Sequence, residues 1–151
     1  MNLHLLKVFP DQLANNWESF RSAIEKALPP TADYKVEGRA TSILQSLLAG
    51  RLELLQLYDQ NDDDTAKEIG IAVVGELDNI DYTSKDLLIY AIYAYDRLSR
   101  SEVLGGFELL VKYAKGLNCD AVVAYTNIPN LVKYVKRMGG QGDYTFIRLE
   151  I

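Results

Sequence analysis

Leu87-Leu88-Ile89-Tyr90-Ala91-Ile92-Tyr93-Ala94-Tyr95 is the stretch on which the fold turns. It carries no charge, and both alternating sets of side chains are apolar or aromatic. A half-exposed strand alternates apolar with polar residues, so this run predicts a central strand covered on both faces, in the middle of a sheet. Upstream, Leu52, Leu54 and Leu57 alternate roughly with polar residues, and residues 69–77 form a run rich in Ile and Val, which together predict two antiparallel strands. Downstream, Leu109, Leu110, Tyr113 and Ala114 give helical spacing up to Gly116. A strand at 121–125, a helix at 131–138 and a last strand at 144–151 complete the chain.

Toward the N-terminus, Leu3, Leu5 and Val8-Phe9 predict a first strand that Pro10 ends. Asp11 is then the expected N-cap of one helix, because Leu13, Trp17, Phe20, Ile24 and Leu28 recur at steps of three or four until Pro29-Pro30. Ile43, Leu44, Leu47 and Leu48 predict a second helix, with Gly50 placed for a left-handed C-cap. The order predicts one α/β (α+β) domain over residues 1–151, a mostly antiparallel central sheet flanked by about four helices.

Composition removes several function classes. The 151 residues are 48% hydrophobic and 25% charged, a globular balance. The longest stretch without charge, 121–132, is far short of the ~20 residues that cross a bilayer, and no charged-then-apolar leader opens the chain, so no membrane contact and no export are expected. One cysteine, Cys119, and one histidine, His4, make neither a disulfide nor a Cys/His zinc site, and no metal centre is expected. A net charge of −5 repels a phosphate backbone and argues against a nucleic-acid partner, the densest basic segment (Lys133, Lys136, Arg137) reading as a solvated helix face. Asp59, Asn61 and Asp63 have the spacing of a calcium loop, but Asp64 stands where that loop needs Gly and Gly70 where it needs Glu. Asp59, Asp62, Asp63 and Asp64 are therefore expected at a solvated hairpin tip.

The succession strand, helix, helix, three strands, helix, strand, helix, strand resembles the GNAT family of N-acetyltransferases over nearly the whole chain. The second half carries the resemblance best, in Tyr95-Asp96-Arg97-Leu98-Ser99-Arg100-Ser101-Glu102-Val103-Leu104-Gly105-Gly106-Phe107-Glu108-Leu109-Leu110, in Lys115-Gly116-Leu117-Asn118-Cys119-Asp120, and in Thr126-Asn127 through Met138-Gly139. The resemblance implies that the fourth strand enters a Gly-rich turn and a helix whose first amides receive the pyrophosphate of acetyl-CoA. It places Leu104, Gly105, Gly106 and Phe107 at that cofactor turn, where free N–H groups and the helix dipole attract phosphate.

The departures from the pattern are as specific as the matches. The family signature is Arg or Gln, two residues, Gly, one residue, then Gly or Ala. Aligned on Leu109-Leu110, Gly106 fills its last position, while Leu104 replaces the first Gly and Ser101 the Arg or Gln. Glu102 adds a negative charge where phosphates would lie. The family's catalytic Tyr corresponds to Val135, with Tyr134 beside it, turned about 100° around the helix. Glu76, near the end of the third strand, is the carboxylate that corresponds to a general base. Tyr134 and Glu76 are thus the candidate catalytic residues.

Val8-Phe9-Pro10-Asp11, the Trp-bearing first helix, Leu47-Leu48-Ala49-Gly50-Arg51-Leu52 and Gly116-Leu117-Asn118-Cys119 also look like small acetyltransferase-like proteins of tailed bacteriophages. That resemblance implies a virion-associated or assembly protein, found in the bacterial host cytoplasm or in the particle. It would bind other protein chains, through self-association or virion components, and need no cofactor. Tyr144, Phe146 and the Tyr134 helix face are its expected contacts. The rival is an N-acyltransferase that uses acetyl-CoA, in which a neutral amine attacks the thioester while Glu76 takes the proton.

Overall fold

The computed structural model describes residues 2–30, 38–149 and 151. Its five strands are β1 (Leu3–Lys7), β2 (Glu53–Gln60), β3 (Ala66–Asp78), β4 (Lys85–Ala94) and β5 (Ala121–Ala124), and they form one sheet in that order. Neighbours from β1 to β4 run antiparallel, and β5 lies parallel to β4. The helices are α1 (Pro10–Asn15), α2 (Trp17–Lys26), α3 (Arg39–Leu48), α4 (Arg100–Gly116) and α5 (Pro129–Arg137). The expected single α+β domain with a mostly antiparallel sheet is the observed architecture.

The middle of the sheet is β3, not β4 as the apolar run at 87–95 suggested. Residues 69–74 of β3 are all buried, whereas burial in β4 alternates after its first residues. The cause is the length of β5, which pairs with β4 only from Asp86 to Ile89 and leaves residues 90–94 with a neighbour on the β3 side alone. Successive side chains of β3 feed two cores. Ile71 and Val73 join Ile24, Phe20 and Leu54 on the face covered by α1, α2 and α3, while Ala72 and Val74 join Leu87, Leu110 and Ala114 beneath α4. Tyr90, Tyr93 and Tyr95 pack against the first of these cores.

The expected first helix is two helices, joined at Asn16. There φ is −121° and ψ 15°, and the Asn16 side chain donates to the Gln12 carbonyl at 3.1 Å, a local bond that competes with the helix ladder. The apolar stripe survives the break, with Leu13, Phe20 and Ile24 buried. Phe9, not Asp11, is the N-cap, because Pro10 with its fixed φ occupies the first helical position. Gly50, at φ +78°, ends α3 in the expected left-handed conformation. Asp62, Asp63 and Asp64 occupy a hairpin tip between β2 and β3, closed by Asn61 N donating to Thr65 O at 2.7 Å, whereas Asp59, also expected there, lies within β2 in register with Lys67 of β3. Asp63 accepts from the Thr65 hydroxyl at 2.6 Å, which holds its carboxyl below the usual range. Among the described residues no group of carboxylates, His or Cys is placed to hold a metal ion.

Among the described residues of the expected last strand, 144–149 and 151, none is in a strand. Residues 140–143 fold back on α5. A Cβ on Gly140 would lie 2.5 Å from Val135 Cγ1 and one on Gly142 2.9 Å from Val132 Cγ1, so the two glycines permit a close approach that Lys136 and Asp143 fasten with an ion pair at 2.9 Å.

Gly70 fixes how closely β3 and β4 approach. A Cβ there would lie 2.7 Å from the backbone oxygen of Tyr93. Gly70→Ala is expected to destabilise the protein by about 1–3 kcal/mol in urea unfolding, because neither backbone can retreat without losing ladder bonds.

Candidate functional site

Helix α4 begins earlier than the family alignment places it. Ser99 is its N-cap, and a reciprocal box closes the end: Glu102 N donates to Ser99 Oγ at 3.1 Å and Ser99 N donates to Glu102 Oε1 at 2.9 Å. Leu104, Gly105, Gly106 and Phe107 therefore lie inside the helix, not in a turn before it. Their amides belong to the helix ladder and do not face a ligand. Gly106 faces the sheet, since a Cβ on it would sit 3.3 Å from Leu57 Cδ2. Its small size lets α4 lie close to β2. Glu102, on the first turn, places a carboxylate at the positive end of the helix dipole, where the family pattern needs phosphate. The residues assigned to acetyl-CoA are thus helical residues and not an open turn.

Glu76 occupies another part of the molecule. It pairs in register with Leu87 at the start of β4, while Gly106 lies over Leu57, whose partner on β3 is Gly70. Six residues of extended strand separate Gly70 from Glu76, about 20 Å. Glu76 Oε1 accepts from Lys85 Nζ at 2.9 Å, an ion pair that holds the Lys85 ammonium above its usual range. A cleft of about 390 Å³ opens beside it, bordered by Arg51, Glu53, Asp78 and Leu117 and floored by the buried Val74 and Leu87. Glu53 enters this cleft already engaged, with Lys7 Nζ at 3.0 Å and the Tyr113 hydroxyl donating to its other oxygen. Tyr134 is half-buried on α5, beyond the end of β5. The structure does not bring Glu76 and the 104–107 segment together.

Cys119 is not an activated nucleophile. Burial pushes the Cys119 thiol up despite Lys85 nearby, so it stays protonated at neutral pH. His4 is exposed on β1, as its polar character predicts.

Sequence reading missed one polar cluster. On the face covered by α1, α2 and α3, Glu68 accepts from Gln56 Nε2 at 3.1 Å and lies against Tyr58 and Tyr95. Burial first, and then the Glu68 charge, push the Tyr95 phenol up to about 12 and raise Tyr58 in the same direction. Tyr93 meets the Tyr95 ring edge-on at 5.5 Å, and Lys26 Nζ lies 5.8 Å from the Tyr93 centroid. Only the strand register unites Gln56, Tyr58 and Glu68, and no local pattern announces it.

No protein-family model matches the chain, and no curated protein matches it in sequence. Solved structures do match in fold. An aminoglycoside acetyltransferase from an uncultured soil metagenomic sample superposes with a TM-score of 0.67 at 12% identity, over 100% of this chain and 99% of that one. A ribosomal-protein-alanine N-acetyltransferase of Brucella melitensis gives 0.66 at 12% identity over 100% of both chains. A predicted acetyltransferase of Clostridium acetobutylicum, solved with acetyl-CoA, gives 0.65 at 16% identity over 98% of this chain and 96% of that one. The chain has the GNAT acetyltransferase fold.

Two measurements check this geometry. Ser99→Ala is expected to cost about 1 kcal/mol in urea unfolding through loss of the cap. The tyrosine cluster sets an alkaline limit: a phenol whose folded pKa lies above its ordinary 10.0 contributes stability that is complete below pH 10 and is lost as pH rises toward about 12. Tyr95→Phe is expected to make that alkaline fall in melting temperature shallower.

Proposed function

We propose that this chain is an acetyltransferase-fold protein that does not catalyse acetyl transfer and serves as a protein-binding component of a bacteriophage particle or its assembly, acting in the bacterial host. The observation that carries the reading is the start of α4, where Ser99 and Glu102 cap each other and Gly105 and Gly106 are enclosed in the helix. A protein that bound a pyrophosphate there would gain from open amides and lose from a carboxylate. Two further observations support it. Glu76 is ion-paired and about 20 Å along the sheet from Gly106. Exposed apolar side chains are concentrated at the C-terminal end, which suits contact with other chains. The phage context comes from the sequence resemblance, and no described helix is long and apolar enough to cross a membrane.

The competing reading is an active N-acyltransferase that uses acetyl-CoA on an amine. The fold favours it, because a neighbour of the same architecture was solved with acetyl-CoA. Fold alone does not establish a reaction, since function resides in the site. Calorimetry with acetyl-CoA separates the two. No measurable heat is expected, whereas a dissociation constant in the low micromolar range, about −8 kcal/mol, would overturn the non-enzymatic reading. Acetylation of an amine that disappears in Glu76→Gln would do the same and would restore Glu76 as the base.

A further inference from the structure

The C-terminal end of the chain lacks a cover. Among the described residues, eight of the sixteen exposed large hydrophobic side chains lie between 125 and 151, including Tyr144 at 84%, Ile147 at 84% and Leu149 at 86% exposure. Helix α5 buries no residue at all. Its apolar Val132 and Val135 meet the returning chain at Gly142 and Gly140, while Tyr125 and Phe146 meet at 5.4 Å between ring centroids. These segments, which follow the edge strand β5 along the chain, make up a C-terminal unit rich in bare apolar side chains. Monomeric proteins seldom leave a large apolar surface bare.

Charge states what kind of cover fits. Residues 129–151 hold four basic and two acidic side chains, whereas residues 1–128 hold twelve basic and nineteen acidic ones. The unit is therefore net positive and the remainder of the chain strongly negative. Lys133 and Arg137 are exposed one turn apart on α5, and Lys136 is already paired with Asp143. The densest acid is the exposed hairpin tip, where Asp62 and Asp64 form no ion pair with a described residue. Both halves of a complementary contact are thus present on one chain, on different surfaces.

We propose that the C-terminal unit is covered by a second copy of this chain, whose acidic hairpin tip lies against Lys133 and Arg137 while its surface shields Tyr144, Ile147 and Leu149. The inference rests on the reading that this protein works through protein contacts, and it names the partner. The tip and the basic pair are present on every copy, so the contact is either made twice across a two-fold axis or repeated head-to-tail into a ring or an open chain.

Sedimentation velocity of the full chain tests this. Mass is expected to grow beyond that of the monomer with concentration, up to about 100 μM, and to fall as salt screens the charges. Lys133→Glu with Arg137→Glu should weaken association roughly tenfold, and Asp62→Lys with Asp64→Lys should do likewise. The four changes together should restore it, with circular dichroism confirming that every variant is folded. A strict monomer, indifference to either reversal or no recovery in the fourfold variant each overturns the proposal. So does a wild-type monomer that binds anionic phosphatidylserine vesicles or duplex DNA through Lys133 and Arg137. A chain that associates as described but acetylates an amine leaves this inference standing and overturns only the non-enzymatic reading.

Discussion

Residues 69–74 of β3 are buried on both sides of the sheet, and the rest of the fold follows from covering them. Val73 and Val74 are essentially inaccessible yet project in opposite directions, so each needs its own apolar layer. Full burial of one such side chain contributes about 1.5–3 kcal/mol, and neither face can be left wet. Helices α2 and α3, which precede β2, cover one face, while α4, which follows β4, covers the other. The glycines set how closely these layers approach. Gly70 admits the Tyr93 carbonyl, and Gly106 brings α4 down to Leu57.

Seen from that core, the fate of the cofactor turn has a local cause. A glycine inside a helix costs about 1 kcal/mol relative to Ala, so Gly105 and Gly106 alone favour a turn. Opposing them are the Ser99–Glu102 box, the buried Leu110 and Ala114 further along α4, and the close packing that Gly106 permits against β2. Helix continues back to Arg100 because the same glycine that would open a phosphate site also serves as a contact with the sheet. Glu102 then supplies, from within the chain, the negative charge that the dipole attracts.

Hydrophobic period made most of the scaffold legible. The two-faced sheet, the stripe of Leu13, Phe20 and Ile24, the left-handed Gly50 and the acidic hairpin tip all follow from spacing and turn chemistry. The errors share a different origin. An apolar run at 87–95 does not reveal how long its neighbour is, so β4 read as central although β5 spans only Ala121–Ala124. Tyr144, Phe146 and Ile147 suit a strand by propensity, but Gly140 and Gly142 let the chain turn onto α5. At the candidate site, alignment on Leu109-Leu110 assigned roles by position, while the capping signal at Ser99 and Glu102 was present in the same segment and decided where the helix begins.

The tyrosines show how the same architecture separates stability from function. Tyr93 and Tyr95 pack on the face covered by α1, α2 and α3, where Tyr95 is tied to Glu68. Tyr144, near the end of the chain, is left bare. The core that defines the acetyltransferase fold uses the middle of each strand, whereas the α4 start, the Glu76 cleft and the C-terminal unit lie at its ends and edge. Changes at those ends leave both apolar layers intact. A chain can therefore keep this fold with a capped α4 and a displaced carboxylate, because nothing in Val73, Val74, Leu87 or Leu110 depends on a ligand being bound.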